Sequence, residues 1–277
     1  MINTVEKTPD NIISDIGPSL RVEFQKARHS KTLWITALAF SLTIFIGGLF
    51  MFILKDPERA RSLGLVGAKA QIFGGTADWP SFFNFVVLMV SVGGLIIFGI
   101  IFVWIFGREF SEKTVYDMLS LPTSRIAIVI AKIITAAYWS LALILLAFVL
   151  MLGVGAILQL PGWSAATTLN GLGLLLGTGA LTILMSISFA LVASVTRGYL
   201  PAVGCIFLVL VLGQVISQLG YGPYFPWTVP MLYSGAAAAL TGKAAAPLGP
   251  VSYILVGLVS VISLVVTGAW WRYADQS

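Results

Sequence analysis

The chain has 277 residues, of which 58% are hydrophobic and only 10% are charged, and its mean hydropathy is +0.97. One soluble core cannot bury that much apolar surface, so the composition excludes a water-soluble globular protein and indicates a membrane protein. The net charge of +5 does not indicate nucleic-acid binding, because the basic residues are dispersed at the edges of apolar segments. The single cysteine, Cys205, lies inside an apolar segment, which excludes a disulfide framework and a thiolate metal site.

Residues 17–34 precede the first apolar segment and have helical periodicity. One face would carry apolar side chains and the other polar ones, namely Leu20, Phe24 and Ala27 against Arg21, Gln25 and Arg28. This pattern predicts an amphipathic helix that lies flat on the inner leaflet. The alternative is a solvated basic tail, and in either case we expect His29 to be a surface residue and not a ligand.

Six apolar segments are long enough to cross about 30 Å of hydrocarbon, which takes roughly 20 helical residues. The sequence therefore predicts an all-α polytopic membrane protein with one transmembrane domain over residues 1–277. Residues 1–32 and 272–277 would be cytoplasmic tails on a bundle at 33–271. The fifth segment follows a very short break at Thr196-Arg197-Gly198, and Pro201 suits its first helical turn. The predicted spans are 33–54, 82–106, 126–158, 169–195, 200–219 and 250–271.

The distribution of Lys and Arg predicts the orientation of the spans. Six spans place both termini on one side, and eleven of the sixteen basic residues lie on that side. Because basic residues are enriched in cytoplasmic loops, we expect both termini and the 107–125 loop in the cytoplasm.

The predicted spans contain no Asp, Glu or His, and Lys132 lies close enough to a cytoplasmic end for its ammonium to reach water. This disfavours a proton-driven carrier, which usually needs an ionisable group at membrane depth. No catalytic constellation and no metal site is visible. No phosphate-binding Gly-x-x-x-x-Gly-Lys-Ser/Thr loop occurs either, so we expect no cofactor in this chain and the energy for any driven transport to come from elsewhere.

Polar side chains interrupt two of the apolar spans. Gln214, Ser217 and Gln218 form a stripe at i, i+3 and i+4 of the fifth span, and Asn84 and Ser91 are one heptad apart on the second. Such residues either line a substrate pathway or form hydrogen bonds between helices. The sequence leaves both interpretations open.

The 107–125 loop gathers charge between two long apolar segments. Thr114 and Asp117 can form a capping box for a short helix that displays Val115, Met118 and Leu119. Pro122 would end this helix, and Thr123 or Ser124 could cap the next span. A short helix with exposed acids between two spans is suited to docking a soluble domain, whereas the alternative is an ordinary solvated loop.

The motif Gly107-Arg-Glu-Phe-Ser-Glu-Lys-Thr, followed by Leu119-Ser-Leu-Pro-Thr-Ser-Arg125 and then Lys132, resembles the cytoplasmic coupling segment of type-2 ABC exporter permeases. Lys113 stands where that family usually has glycine. The similarity extends to the amphipathic N-terminal helix, the six spans and a Pro- and aromatic-rich segment before the last span. The resemblance implies that a separate cytoplasmic ABC ATPase, which binds ATP and Mg²⁺, docks on this segment. The coupling residues would be Arg108, Glu109, Phe110, Glu112, Thr114, Val115, Asp117, Met118, Leu119, Pro122 and Arg125.

The resemblance also implies a second permease subunit and a place in a bacterial plasma membrane. Gly173-x-x-x-Gly177, beside Gly171 and Gly179, could form the contact between subunits or pack within one subunit. The expected cargo is an amphipathic or lipophilic compound such as a peptide antibiotic or drug. By analogy within the family, the alternative cargoes are a lipid-linked glycan and sodium. A membrane scaffold or assembly factor that docks a soluble protein is the alternative outside transport.

Overall fold

The computed structural model describes residues 12–56, 58, 76–112, 123–235 and 247–273, and these parts of the chain contain helices and no strand. The all-helical class predicted from the sequence is confirmed for these residues. The helices are α1 (Ile12–Arg28), α2 (Lys31–Leu54), α3 (Trp79–Ser111), α4 (Arg125–Ile157), α5 (Ala165–Val195), α6 (Leu200–Gln218), the short α7 (Val229–Tyr233) and α8 (Pro250–Tyr273).

Six of these helices, α2 to α6 and α8, are long and apolar enough to cross a membrane, which confirms the predicted spans. Helices α3 and α4 have 33 residues each, and at 1.5 Å per residue each is roughly 50 Å long. Both helices therefore extend beyond about 30 Å of hydrocarbon. The largest change from the predicted bounds is at the end of α3, which continues past residue 106 to Ser111.

The core lies around α3, the most buried of the six spans. Phe82, Phe98, Phe102 and Phe106 are fully buried along this helix, and α3 packs chiefly on α5. Trp271 of α8 is also fully buried and meets the ring of Phe106 edge to face, with 6.2 Å between centroids. Helix α3 is thus the central span, and its end next to the 107–125 loop is held by α8.

Most of the glycines in α5 permit close packing inside this chain. A Cβ at Gly171 would overlap the ring of Phe83, one at Gly177 would lie 2.6 Å from the hydroxyl of Tyr233, and one at Gly179 would overlap Ile144. Only Gly173 of this group faces open space, since a Cβ there meets no atom within 4 Å. The packing interpretation is therefore correct for three of the four glycines.

Helices α1 and α2 lie one after the other along α4. The backbone N–H of Ser124 donates to Asp15 (2.9 Å), and the ring of Phe24 lies 4.9 Å from that of Tyr138. Helix α2 begins to contact α4 at Trp139, which donates to the hydroxyl of Thr36 (3.2 Å), and further along a Cβ at Gly48 would overlap Val154. Helix α1 therefore packs on the first half of α4 and α2 on the second half, while the placement of α1 on a leaflet stays a prediction.

The two faces of α1 differ in burial as its periodicity predicts, except that the packed face contains an acidic residue. Arg21, Gln25 and Arg28 are exposed, whereas Leu20 and Phe24 are half-buried and Ala27 is buried. The most buried positions are Ser19, Glu23 and Ala27, so a carboxylate lies in the middle of the packed face. His29 is exposed and its ring bonds to the carbonyl of Gln25, as expected for a surface residue.

Candidate functional site

Lys132 lies in the second turn of α4, and its side chain is fully buried. Its ammonium donates to Oε1 of Glu109 in α3 (2.9 Å) and to Oε1 of Glu23 in α1 (3.1 Å). A third bond goes to the carbonyl oxygen of Ile105, one helical turn before Glu109 (3.2 Å). One ammonium therefore joins three helices with its three donors.

Two further cations complete this group. The ammonium of Lys26 lies 3.2 Å from Oε1 of Glu109 and 3.6 Å from Oε1 of Glu23, and Nη2 of Arg108 lies 3.5 Å from Oε1 of Glu109. The guanidinium of Arg108 also lies 4.7 Å from the ring centroid of Trp104. We call Glu23, Lys26, Arg108, Glu109 and Lys132 the ion cluster.

Four members of the ion cluster are buried, whereas the side chain of Lys26 is 36% exposed and forms its boundary with water. Glu109 is 1% exposed and Glu23 is 5% exposed. Burying a charge is strongly unfavourable unless opposite charges and hydrogen bonds compensate it. The buried carboxylates therefore depend on the cations around them for compensation, and removal of Lys132 should affect all three helices.

Two expectations about this region were wrong. Lys132 does not extend its ammonium to water, and Glu109 is not one of the exposed acids of the loop. The physical reason is that α3 continues as a helix to Ser111, which places Glu109 one turn after Ile105 on the face toward α4. Helix α1 then covers the site from the other side.

Glu23 and Lys26 are the residues that sequence reasoning missed. The available signal was the position of Glu23, which is four residues from Ser19 and from Ala27 and so lies on the same face as these small side chains. An acid at the centre of a face of small residues indicates packing against another helix. It does not fit a helix that only rests on lipid.

The described residues at the two ends of the 107–125 loop are packed against α8. The ring of Phe110 lies 5.6 Å from that of Trp271, edge to face. Across the loop, Nη1 of Arg125 donates to the carbonyls of Trp271 and Arg272 (3.4 Å each). Both sides of the loop therefore meet at the end of α8.

Of the remaining residues predicted for the coupling segment and its caps, the structure describes some and not others. Glu112 is exposed, as expected. Ser124 takes the N-cap position of α4, but its side chain makes no capping hydrogen bond. Residues 113–122 lie outside the described residues, so the capping box and the short helix stay predictions for Thr114, Val115, Asp117, Met118, Leu119 and Pro122.

Tyr199, in the connection between α5 and α6, lies against the end of α3. Its ring would be 3.0 Å from a Cβ at Gly107, and its hydroxyl bonds to the side chain of Ser111. Burial raises the pKa of Tyr199 above its ordinary value. Arg197 in the same connection has φ of +53°, a left-handed conformation that non-glycine residues seldom adopt, so the predicted break between the two spans is a tight turn.

A second feature is a groove of about 160 Å³ between α3 and α6, where two predicted pathway residues meet. Ser91 contributes from α3 and Gln214 from α6, and Trp227 and Met231 lie on the wall formed by the segment after α6. Ser91 belongs to a π-helical turn, Met89–Gly93, and its hydroxyl donates to the carbonyl of Leu88 (2.8 Å). Such turns occur often at functional sites.

The other predicted pathway residues do not line this groove. Asn84 is exposed whereas Ser91 is 3% exposed, because the π-helical turn between them rotates the following residues away from a heptad register. Gln218 is exposed one turn beyond Gln214. The hydroxyl of Ser217 is buried and makes no hydrogen bond to any described residue.

Comparison with known proteins identifies the family of the chain and a curated relative. Residues 19–214, more than half of the chain, match the family described as ABC-2 family transporter protein. The chain is also 26% identical to a bacitracin transport permease protein of Bacillus licheniformis over 144 residues, which is 52% of this chain and 68% of the relative. The family match includes α3, the loop, the ion cluster and the part of the groove that α3 and α6 form, whereas Trp227 and Met231 lie beyond it. The chain therefore belongs to the ABC-2 transporter family, as a multi-pass membrane permease whose family implies a partner ATP-binding subunit.

Proposed function

We propose that this chain is the membrane subunit of an ATP-driven exporter of amphipathic compounds such as peptide antibiotics. The observation that carries the proposal is the family match over residues 19–214, together with a relative named for bacitracin transport. A separate ABC ATPase docks on residues 107–125 and supplies the ATP and Mg²⁺ chemistry. A second permease subunit, the same chain or a related one, completes the transporter in the plasma membrane.

The geometry around the 107–125 loop supports a role in energy transfer. Glu109 lies near the start of the loop and Lys132 shortly after its end, and the ammonium of Lys132 donates to Glu109 and to Glu23 of α1. A displacement of the docked loop would therefore move α1, α3 and α4 together. An ordinary solvated loop would not require such a buried connection.

The orientation follows from the same proposal. The loop must face the cytoplasm to meet an ATPase, and this places both termini there as well. The excess of basic residues on that side of the predicted spans agrees with this arrangement.

We also propose that the groove between α3 and α6 contributes to the substrate pathway. Its wall is mostly apolar, and its polar groups include the side chains of Ser91, Gln214 and Thr228. An apolar wall with few polar groups suits an amphipathic molecule better than a hydrated ion. The alternative, that Gln214 only packs between helices, is distinguished by the substitutions considered in the Discussion.

The experiment is to express the chain with its candidate ATPase in a bacitracin-sensitive bacterium. We expect reduced susceptibility to bacitracin and copurification of the ATPase with the tagged chain. The matched control is the same pair with the phosphate-binding lysine of the ATPase replaced, which should copurify but give no resistance. Copurification without a change in susceptibility to any amphipathic antibiotic tested would instead favour a scaffold.

A further inference from the structure

A separate groove of about 350 Å³ lies on the outside of the bundle, between the first turns of α4 and the last turns of α8. This volume is within the range of small-molecule sites. Its walls are apolar along most of their length, with Ile126, Val129 and Ile130 on one side and Leu264, Val265 and Gly268 on the other. The groove does not include the ion cluster or the α3–α6 groove.

One end of this groove is basic. Arg272 lines it, and Arg125 reaches the same place from α4, where it donates to the carbonyls of Trp271 and Arg272. Within the described ranges, neither guanidinium has a carboxylate within 4.0 Å. The two positive charges at this end are thus not neutralised by a carboxylate of the described residues.

The groove is placed where a bilayer would meet the protein. Helix α8 has 24 residues, so it is about 36 Å long and its last turn reaches the interface if its centre lies at mid-membrane. Val265 is 61% exposed and Tyr273 is 75% exposed. An exposed apolar face that ends in a tyrosine and an arginine is typical of a helix between lipid tails and head groups.

We propose that this groove binds one anionic phospholipid, with an acyl chain along its apolar walls and the phosphate at Arg272 and Arg125. Guanidinium groups bind phosphate through charge-assisted, often bidentate hydrogen bonds. Basic pockets between membrane helices bind anionic head groups for the same reason. This inference does not rest on the proposed export function, since it concerns only the lipid-facing surface.

The glycines of α8 provide a matched test. A Cβ at Gly268 meets no heavy atom within 4 Å, and the same is true of Gly257, three turns earlier and outside the groove. Gly268→Leu should therefore fill the groove without disturbing the core, and Gly257→Leu is its control. Arg272→Gln removes the basic end, and Arg272→Lys retains the charge.

The experiment is native mass spectrometry of the purified full chain with added phosphatidylglycerol or phosphatidylcholine. We expect the wild-type chain to retain phosphatidylglycerol preferentially, and Arg272→Gln to reduce that preference about fivefold while Arg272→Lys largely keeps it. Gly268→Leu should reduce retention of both lipids, and Gly257→Leu should retain them as the wild type does.

Three results would overturn the proposal. The first is equal retention of the two lipids by the wild-type chain. The second is an effect of Gly257→Leu as large as that of Gly268→Leu. The third is a shift of oligomeric state in Gly268→Leu with lipid retention unchanged, which would assign the groove to contact between copies of the chain.

Discussion

The ammonium of Lys132 lies 2.9 Å from Oε1 of Glu109, and neither side chain is more than 2% exposed. Lys132 follows the 107–125 loop and Glu109 lies within it, before the residues that the structure does not describe. Their contact joins the end of α3 to the start of α4, and Glu23 of α1 accepts a hydrogen bond from the same ammonium. The described residues on the two sides of the loop are therefore joined by a buried charge cluster.

Breaking this pair should strongly destabilise the protein. Lys132→Met leaves two buried carboxylates with incomplete compensation, and loss of one partner of a buried pair typically costs about 3–5 kcal/mol. We expect a clear fall in the midpoint of thermal unfolding in detergent. Lys31→Met makes the same chemical change at an exposed position and should stay within about 0.5 kcal/mol of the wild type.

The double variant tests whether the pair acts as a unit. Lys132→Met with Glu109→Gln removes one charge of each sign, so its loss should be smaller than the sum of the two single losses by about 1 kcal/mol or more. Additive losses, or a Lys132→Met variant as stable as Lys31→Met, would contradict the assigned role of the ion cluster.

Docking of the ATPase should depend on the apolar residues of the loop. Truncating a buried contact residue can cost about 2 kcal/mol, whereas an exposed ion pair typically contributes under about 1 kcal/mol. We expect Met118→Ala with Leu119→Ala to release the ATPase in pull-down assays. Glu112→Gln, at an exposed position, should leave it bound but lower the amount exported per ATP hydrolysed. Loss of binding in Glu112→Gln alone would show that charge dominates the contact.

The groove between α3 and α6 gives a matched pair of glutamine variants. Gln214 and Gln218, one turn apart on α6, are both exposed, but Gln214 lines the groove and Gln218 does not. We expect Gln214→Leu to change the rate of export or the range of substrates with little change in thermal stability. Gln218→Leu should change neither, because its side chain does not line the groove. If Gln214→Leu lowers stability and leaves export unchanged, the amide is a packing residue.

Asp78, the N-cap of α3, gives a prediction on pH dependence. Burial raises its pKa, but hydrogen bonds from the backbone N–H of Ser81 (2.8 Å) and from the hydroxyls of Ser81 and Thr76 outweigh this, so the pKa of Asp78 is below its ordinary value. A carboxyl whose pKa is lowered by folding stabilises the folded state at pH values above the ordinary Asp pKa. That contribution is lost as the pH falls through the lowered pKa.

Asp78→Ala should therefore cost about 1 kcal/mol at pH 7 and less at pH 3. Asp78→Asn keeps a capping oxygen without the charge, so its smaller loss should be nearly independent of pH. Thermal unfolding of the three proteins in detergent at both pH values measures this. An equal loss for Asp78→Ala at pH 7 and pH 3 would contradict the account.

The spans could be predicted from the sequence because each is set by local composition, and even the turn before Pro201 is marked by local residues. The ion cluster could not be predicted, since it depends on α1 packing along α4 and on α3 continuing to Ser111. From the sequence alone, Lys132 is expected near a helix end with its ammonium in water. Its burial becomes understandable only when α1 brings Glu23 next to it. In the same way, Asn84 and Ser91 share a heptad spacing, but the π-helical turn separates their environments.

The most direct test of the proposed function is ATP hydrolysis by the reconstituted transporter. We expect the purified chain alone to hydrolyse no ATP above background, and the complex with its ATPase in proteoliposomes to hydrolyse ATP faster when bacitracin is added. Hydrolysis by the chain alone, free of contaminating ATPases, would contradict the account. So would a complex whose hydrolysis is unaffected by bacitracin and by every other amphipathic compound tested.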